Sequence, residues 1–239
     1  MTDRQIFTEM VFILDRSGSM EGLEKDTIGG FNSLIKKQKE EPGRAVISTV
    51  LFDSEIKVVH DRIPLQDVPV MTSREYCVGG CTALLDAVGG AVSHISRLHK
   101  EAGRNERPDK TIFVITTDGM ENASREYTYS KVREMIEKQR RQYGWEFIFL
   151  GANMDAAKTA GDMGIRADRA ATYECDSQGL KVSFKALEKA VSCCRAMMPK
   201  MSRASASAGC CAEEVCYEEE AMPADWADDI KKDYARRHR

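Results

Sequence analysis

No apolar run in this 239-residue chain approaches the ~20 residues needed to cross a bilayer, so no membrane contact is expected. The N-terminal Met-Thr-Asp-Arg-Gln leads straight into the first apolar run, which leaves no room for a secretory signal, and a cytoplasmic protein is expected. Charge of one sign is also missing. The 35 Lys and Arg nearly balance the 38 Asp and Glu, leaving a formal net charge of −3. Nucleic acid and anionic lipid are therefore offered no general attraction. Histidine is scarce: His60, His94, His99 and His238 are all there are, and none stands beside a recognisable motif. A Gly-x-Ser-x-Gly elbow is absent, and no Walker A loop accompanies Asp15, which argues against a serine hydrolase or a nucleotide-phosphate enzyme. The chain has eight cysteines. Without an export signal they are expected as reduced thiols. The adjacent pairs Cys193-Cys194 and Cys210-Cys211 do not have the spacing of a zinc ribbon.

What remains is ordinary globular material, 42% hydrophobic and 31% charged. Its length allows one large domain or one domain with an extension. Short apolar runs alternate with stretches of helical periodicity. Strands are expected over 9–15, 44–52, 55–60, 110–117, 145–151 and 170–174, and helices over 22–40, 83–101, 130–143, 155–163 and 177–197. The strand at 55–60 follows Asp53-Ser54 and is expected as an antiparallel hairpin partner at the sheet edge. The others suit a parallel sheet covered on both faces. Gly89-Gly90 inside the second helix points to close packing rather than catalysis. After Pro199, the run Ser202 to Gly209 reads as a flexible linker. A charged, Cys-containing tail follows, in which Trp226 and Ile230, four apart, suit a short docking helix. The expected organisation is a domain over 1–198 and a linker and tail over 199–239.

The chemistry is concentrated where apolar runs end. Met10-Val-Phe-Ile-Leu14 runs into Asp15-Arg-Ser17-Gly-Ser19, which sets a carboxylate and two hydroxyls at the carboxyl end of a buried strand, where open α/β sheets bind ligands. Small oxygen donors of this kind suit a hard cation such as Mg²⁺; a serine turn before a helix is the plain alternative. Two further segments weigh against the plain alternative. Gly79-Gly-Cys-Thr82 delivers a threonine at a helix start, and Thr111-Ile-Phe-Val-Ile-Thr-Thr-Asp118-Gly119 ends a second buried strand on a carboxylate.

Asp15, Ser17, Ser19, Thr82 and Asp118, in this order, resemble the metal-ion-dependent adhesion site (MIDAS) of the von Willebrand factor type A (vWA) family, over about residues 8–195. The resemblance implies an α/β, Rossmann-like, doubly wound sheet, mostly parallel with one antiparallel edge strand and helices on both faces. It further implies Mg²⁺, or Mn²⁺ in its place, bound by Ser17 and Ser19 directly and by Thr82 directly or through water. Asp15 and Asp118 would accept hydrogen bonds from the serines and the metal's waters. An ion held mainly by neutral oxygens keeps its charge and an exchangeable position. It would therefore capture a Glu or Asp of a protein partner. The expected protein is a Mg²⁺-dependent interaction module and not an enzyme. A Mg²⁺-dependent phosphohydrolase or phosphotransferase and a scaffold with a vestigial site are the alternatives. Arg16 is expected at the surface, in contact with a ligand carboxylate or with solvent. Glu121 and Asn122 are expected either at the rim of the site or as cap residues.

Overall fold

The computed structural model describes residues 6–103, 106–197, 201–203, 215–217, 222–223 and 225–238, with the backbone alone for 201–203 and 215–217. Six strands form one sheet: β1 (Phe7–Asp15), β2 (Arg44–Phe52), β3 (Ile56–Pro64), β4 (Lys110–Thr117), β5 (Glu146–Ala152) and β6 (Ala170–Tyr173). They lie in the order β3-β2-β1-β4-β5-β6, parallel except for β3, which runs antiparallel at the edge. The connecting helices are α1 (Glu24–Glu40), α2 (Leu84–Glu101), α3 (Tyr129–Tyr143), α4 (Ala156–Asp162) and α5 (Ser177–Ala196). This is the doubly wound, mostly parallel architecture that the sequence pattern predicts.

The unbroken apolar runs are explained by two separate cores. Successive side chains of a strand point to opposite faces. Met10, Phe12 and Leu14 of β1 therefore pack with Phe31 and Leu34 of α1 and Leu187 and Val191 of α5. Val11 and Ile13 pack on the other face with Val88 and Val92 of α2 and Val132 and Ile136 of α3. Both faces are buried, so no polar alternation is left in the sequence. Helix ends are fixed locally: the side chains of Thr128, Asp155 and Asp176 accept N-terminal N–H groups of α3, α4 and α5, and Gly144, at φ 63°, closes α3. Gly89 is a close-packing position, as expected, but its neighbour is the Tyr127 ring, 2.2 Å from where a Cβ would stand, whereas Gly90 has open space beside it.

The edge strand runs on to Pro64, past the expected end at His60. The β2–β3 ladder shifts register between the pairs Thr49–His60 and Ile47–Ile63, and Arg62, inside this irregularity, has φ 51°. A bulge of this kind carries a strand onward with a local turn. Arg62 reaches the fully buried Glu9, Nε to Oε1 at 2.9 Å, and His99 holds the other oxygen of Glu9 at 2.5 Å.

Beyond α5 the backbone forms a two-stranded antiparallel ribbon, β7 (Met201–Arg203) with β8 (Val215–Tyr217), and a last helix, α6 (Asp228–Arg237). The linker residues 204–209, Pro199, Cys210 and Cys211 lie outside the described residues. Trp226 and Ile230 are buried together with Met222 and Ala227 in the α1/α5 core, and Trp226 Nε1 donates to Asp168 O at 2.8 Å. Trp226 and Ile230, expected to suit a short docking helix in the charged tail, stand just before and within α6, which packs on the core. No helix among the described residues is long and apolar enough to cross a membrane.

His60 is buried on β3, with Nδ1 3.0 Å from Thr49 Oγ1. Burial pushes its pKa below the ordinary 6.5, against a small opposing pull from Glu75. The unfolded chain then takes the proton first as pH falls, so this residue's contribution to stability is present above about 6.5 and is lost below it. Urea midpoints measured against pH should fall less steeply below pH 6.5 in His60→Gln than in the wild type; equal slopes would refute this assignment.

Candidate metal centre

The chain turns at the carboxyl ends of β1 and β4, which are neighbours in the sheet. From β1 it proceeds to α1 on one face, and from β4 to α3 on the other. The two loops diverge and leave a crevice between them, the usual ligand position of an open α/β sheet. Asp15 ends β1, and Asp118 follows β4 directly.

The structure brings all five expected residues to this crevice. Ser17 Oγ is 3.1 Å from Ser19 Oγ, and Ser19 Oγ donates to Asp118 Oδ1 at 2.7 Å. Asp15 Oδ1 accepts the Ser17 N–H at 2.7 Å, and its Oδ2 accepts the Thr117 hydroxyl at 2.6 Å. Thr82 enters from the loop before α2. A Cβ on Gly119 would stand 2.8 Å from Thr82 Oγ1 and 3.5 Å from Ser19 Oγ, so Gly119 leaves space between these hydroxyls. Gly80, at φ 70°, turns the Thr82 loop past Ser54, and its carbonyl accepts the Gly18 N–H at 3.1 Å.

Asp15 and Asp118 are each 2% exposed. Among the described residues no Lys or Arg forms an ion pair with either. Burial pushes the Asp15 carboxyl above its usual range. Hydrogen bonds from Thr117 and Ser17 work against that rise, and the charge of Asp118 adds to it. Two carboxylates and three hydroxyls therefore face one another with no resident positive charge. This donor set fits a hard divalent cation. No three of His, Cys, Asp and Glu gather as a metal-binding group among the described residues.

The surrounding residues fix the position of these donors. Tyr76, 1% exposed, donates its hydroxyl to Asp15 O at 2.5 Å. Asn122 Oδ1 accepts the Thr82 N–H at 2.9 Å, and its own N–H donates to Thr82 O at 3.1 Å. Ala83, the N-cap of α2, has no side chain able to cap. Glu121 supplies that cap from the β4–α3 loop by accepting the Leu85 N–H at 2.9 Å. Asp86 accepts in return from the N–H groups of Arg125, Glu126 and Tyr127. Glu121 and Asn122 are thus cap and loop-tying residues. Arg16, expected at the surface in contact with a ligand carboxylate or solvent, is instead only 13% exposed, and its Nη2 pairs with Asp53 Oδ2 at 3.0 Å. Tyr76, Thr117 and Cys175, whose thiol lies 3.4 Å from Asp118 Oδ2, were not anticipated. Only Thr117 left a trace in the sequence, as a polar residue closing an apolar strand. The four histidines are engaged elsewhere, His94 with Asp61, His99 with Glu9, His60 with Thr49 and His238 with Tyr234 O.

No protein-family model matches this chain, and no curated protein does. Solved structures do. A von Willebrand factor type A protein from Catenulispora acidiphila superposes with a TM-score of 0.53 at 14% identity, over 83% of this chain and 44% of that one. Proximal thread matrix protein 1 from the mussel byssus, in a structure with a zinc-occupied MIDAS motif, gives 0.54 at 15% identity over 77% and 48%. The vWF domain of the type V pili tip protein Mfa5 from Porphyromonas gingivalis gives 0.54 at 10% identity over 78% and 95%. The chain has the vWA fold. It spans under half the length of the mussel and Catenulispora chains.

Two outcomes follow from this geometry. In EDTA, Asp15→Asn should melt at a higher temperature than the wild type, because it removes a buried charge that the folded state disfavours at neutral pH, while its affinity for Mg²⁺ falls by about tenfold or more. A lower melting temperature in EDTA would contradict the role given to burial. Gly119→Ala should push the Thr82 hydroxyl aside and weaken Mn²⁺ binding in calorimetry while leaving the far-ultraviolet dichroism unchanged; undiminished binding would remove Thr82 from the donor set.

Proposed function

We propose that this protein is a Mg²⁺-dependent protein-interaction module that captures a Glu or Asp side chain of a partner. Mn²⁺ is expected to substitute for Mg²⁺. Ser17, Ser19 and Thr82 would hold the ion through their hydroxyls. Asp15 and Asp118 would orient the serines and the ion's waters by accepting hydrogen bonds. The ion would supply a positive centre with an exchangeable position, to which a carboxylate binds. The observation that carries this reading is the convergence of two buried, cation-free carboxylates with three hydroxyls in one crevice.

The surroundings support capture over catalysis. No histidine is placed to serve as a base at the crevice, since each of the four has another partner. Met120, directly after Asp118-Gly119, is 72% exposed and offers a partner an apolar contact beside the ion. The vWA structures with the same fold include a byssal matrix protein and a pilus tip protein. We place this activity in the domain over 1–198 and the protein in the cytoplasm, with no role for nucleic acid or membrane.

A pull-down from lysate in Mg²⁺ should retain a partner that EDTA releases. Ser17→Ala should lose it while keeping the wild-type melting temperature within a few degrees, and reversing the charge of a single partner carboxylate should abolish binding. Retention that is indifferent to EDTA and to Ser17→Ala would overturn the proposal. So would metal-dependent turnover of a phosphoester that is lost in Asp118→Ala.

A further inference from the structure

The loop between β6 and α5, residues 174–176, contributes nothing to the proposed donor set, yet its middle residue touches that set. Cys175 donates its thiol hydrogen to Asp118 Oδ2 at 3.4 Å, while Ser19 holds Oδ1 at 2.7 Å. Both residues flanking Cys175 meet the end of α6. Arg237 pairs with Asp176, and His238 Nε2 stands 3.6 Å from Glu174 Oε2. Arg237 is held on its own helix by Asp233, at 2.9 Å. Asp176 is also the N-cap of α5, accepting the Gly179 N–H at 2.7 Å. There is no slack in this turn, since a Cβ on Gly179 would lie 2.0 Å from Glu174 O. At its other end α6 is anchored in the core by Trp226 and Ile230.

We propose that α6 clamps the metal centre: by fixing Asp176 through Arg237 it seats Cys175 on Asp118, and Cys175 is a positioning residue that aligns this carboxylate for the ion. The inference rests on the metal-site reading given above. A carboxylate with both oxygens engaged stays in one orientation. Released on one side, it must be ordered when the ion binds, and affinity falls by that cost. A thiol is a weak donor, so the effect belongs at the low end for a partner of a metal-site residue. The coupling is reciprocal: loosening α6 weakens the ion, and the ion tightens α6.

The test uses the full chain, with Mn²⁺ alone as the probe in calorimetry and with hydrogen exchange in metal-free protein. Cys175→Ala should lose about tenfold in Mn²⁺ affinity. Cys175→Ser, which keeps a donor, should stay close to the wild type, and Arg237→Ala should show a smaller loss than Cys175→Ala. In EDTA, Arg237→Ala should raise exchange at residues 174–180 and also at 118–122, while the central strands stay protected. Unchanged exchange at 118–122 would overturn the clamp. A loss in Cys175→Ser equal to that in Cys175→Ala would overturn the positioning role. If the wild type takes up no Mn²⁺, the metal-site reading fails, and the exchange at 118–122 still decides whether α6 reaches Asp118.

Discussion

Burying two carboxylates in one crevice is costly, and this fold offsets the cost with hydrogen-bond donors instead of cations. Asp15 receives the Ser17 N–H and the Thr117 hydroxyl, and Asp118 receives the Ser19 hydroxyl and the Cys175 thiol. A hydrogen bond to a charged group contributes about 1.5–3 kcal/mol, whereas an ionised carboxylate taken out of water costs several kcal/mol even after relaxation. The upward push on Asp15 shows that the donors do not fully compensate. What the crevice still lacks is positive charge, and the proposed cation supplies it.

The placement of that crevice follows from the winding of the sheet. β1 feeds α1 on one face and β4 feeds α3 on the other, so the backbone parts above the two neighbouring strand ends and leaves their last side chains facing each other. Divergence alone would make a loose cleft. The β4–α3 loop is instead fastened to the first turn of α2, with Glu121 and Ser124 capping it and Asp86 accepting three N–H groups in return. This reciprocal capping sets Thr82 against Gly119, the residue after Asp118. It also explains why a helix beginning on Ala83, a poor N-cap, keeps its position.

Much of this could be read from the residues alone, and the limits have a physical cause. Apolar runs such as Met10 to Leu14 mark strands buried on both faces, and helical spacing marks α1 and α2; both signals are local. The five hydroxyl and carboxylate positions were legible together through their resemblance to the MIDAS motif, with Asp15 and Asp118 marked by the ends of buried strands. What escaped notice depends on contacts between distant segments. Tyr76 reaches back to Asp15, 61 positions away, and Cys175 reaches Asp118 across 57. Nothing in the local sequence around Arg62 announces the bulge that turns it onto Glu9. Arg16 looked available because the motif is exposed on paper, but its partner Asp53 lies on the next strand's turn, brought close when β2 pairs with β1. The last helix was foreshadowed only by Trp226 and Ile230, a spacing that many unstructured tails share.

The pairing of Arg16 has a consequence for how the proposed capture would work. Arg16, the cationic side chain of the motif, is 13% exposed and pairs through Nη2 with Asp53. The crevice without an ion is negative, and an acidic side chain from a partner is repelled by Asp15 and Asp118. Under the proposed reading, a divalent ion held by the hydroxyls of Ser17, Ser19 and Thr82 would make the open position positive, with Asp15 and Asp118 accepting hydrogen bonds from the serines and the ion's waters. Binding of the ion would then turn repulsion into attraction for a carboxylate at that position. An ion–carboxylate contact is the same for every Glu or Asp. Discrimination among partners would therefore fall to the rim, where Met120 stands exposed beside the ion's proposed position.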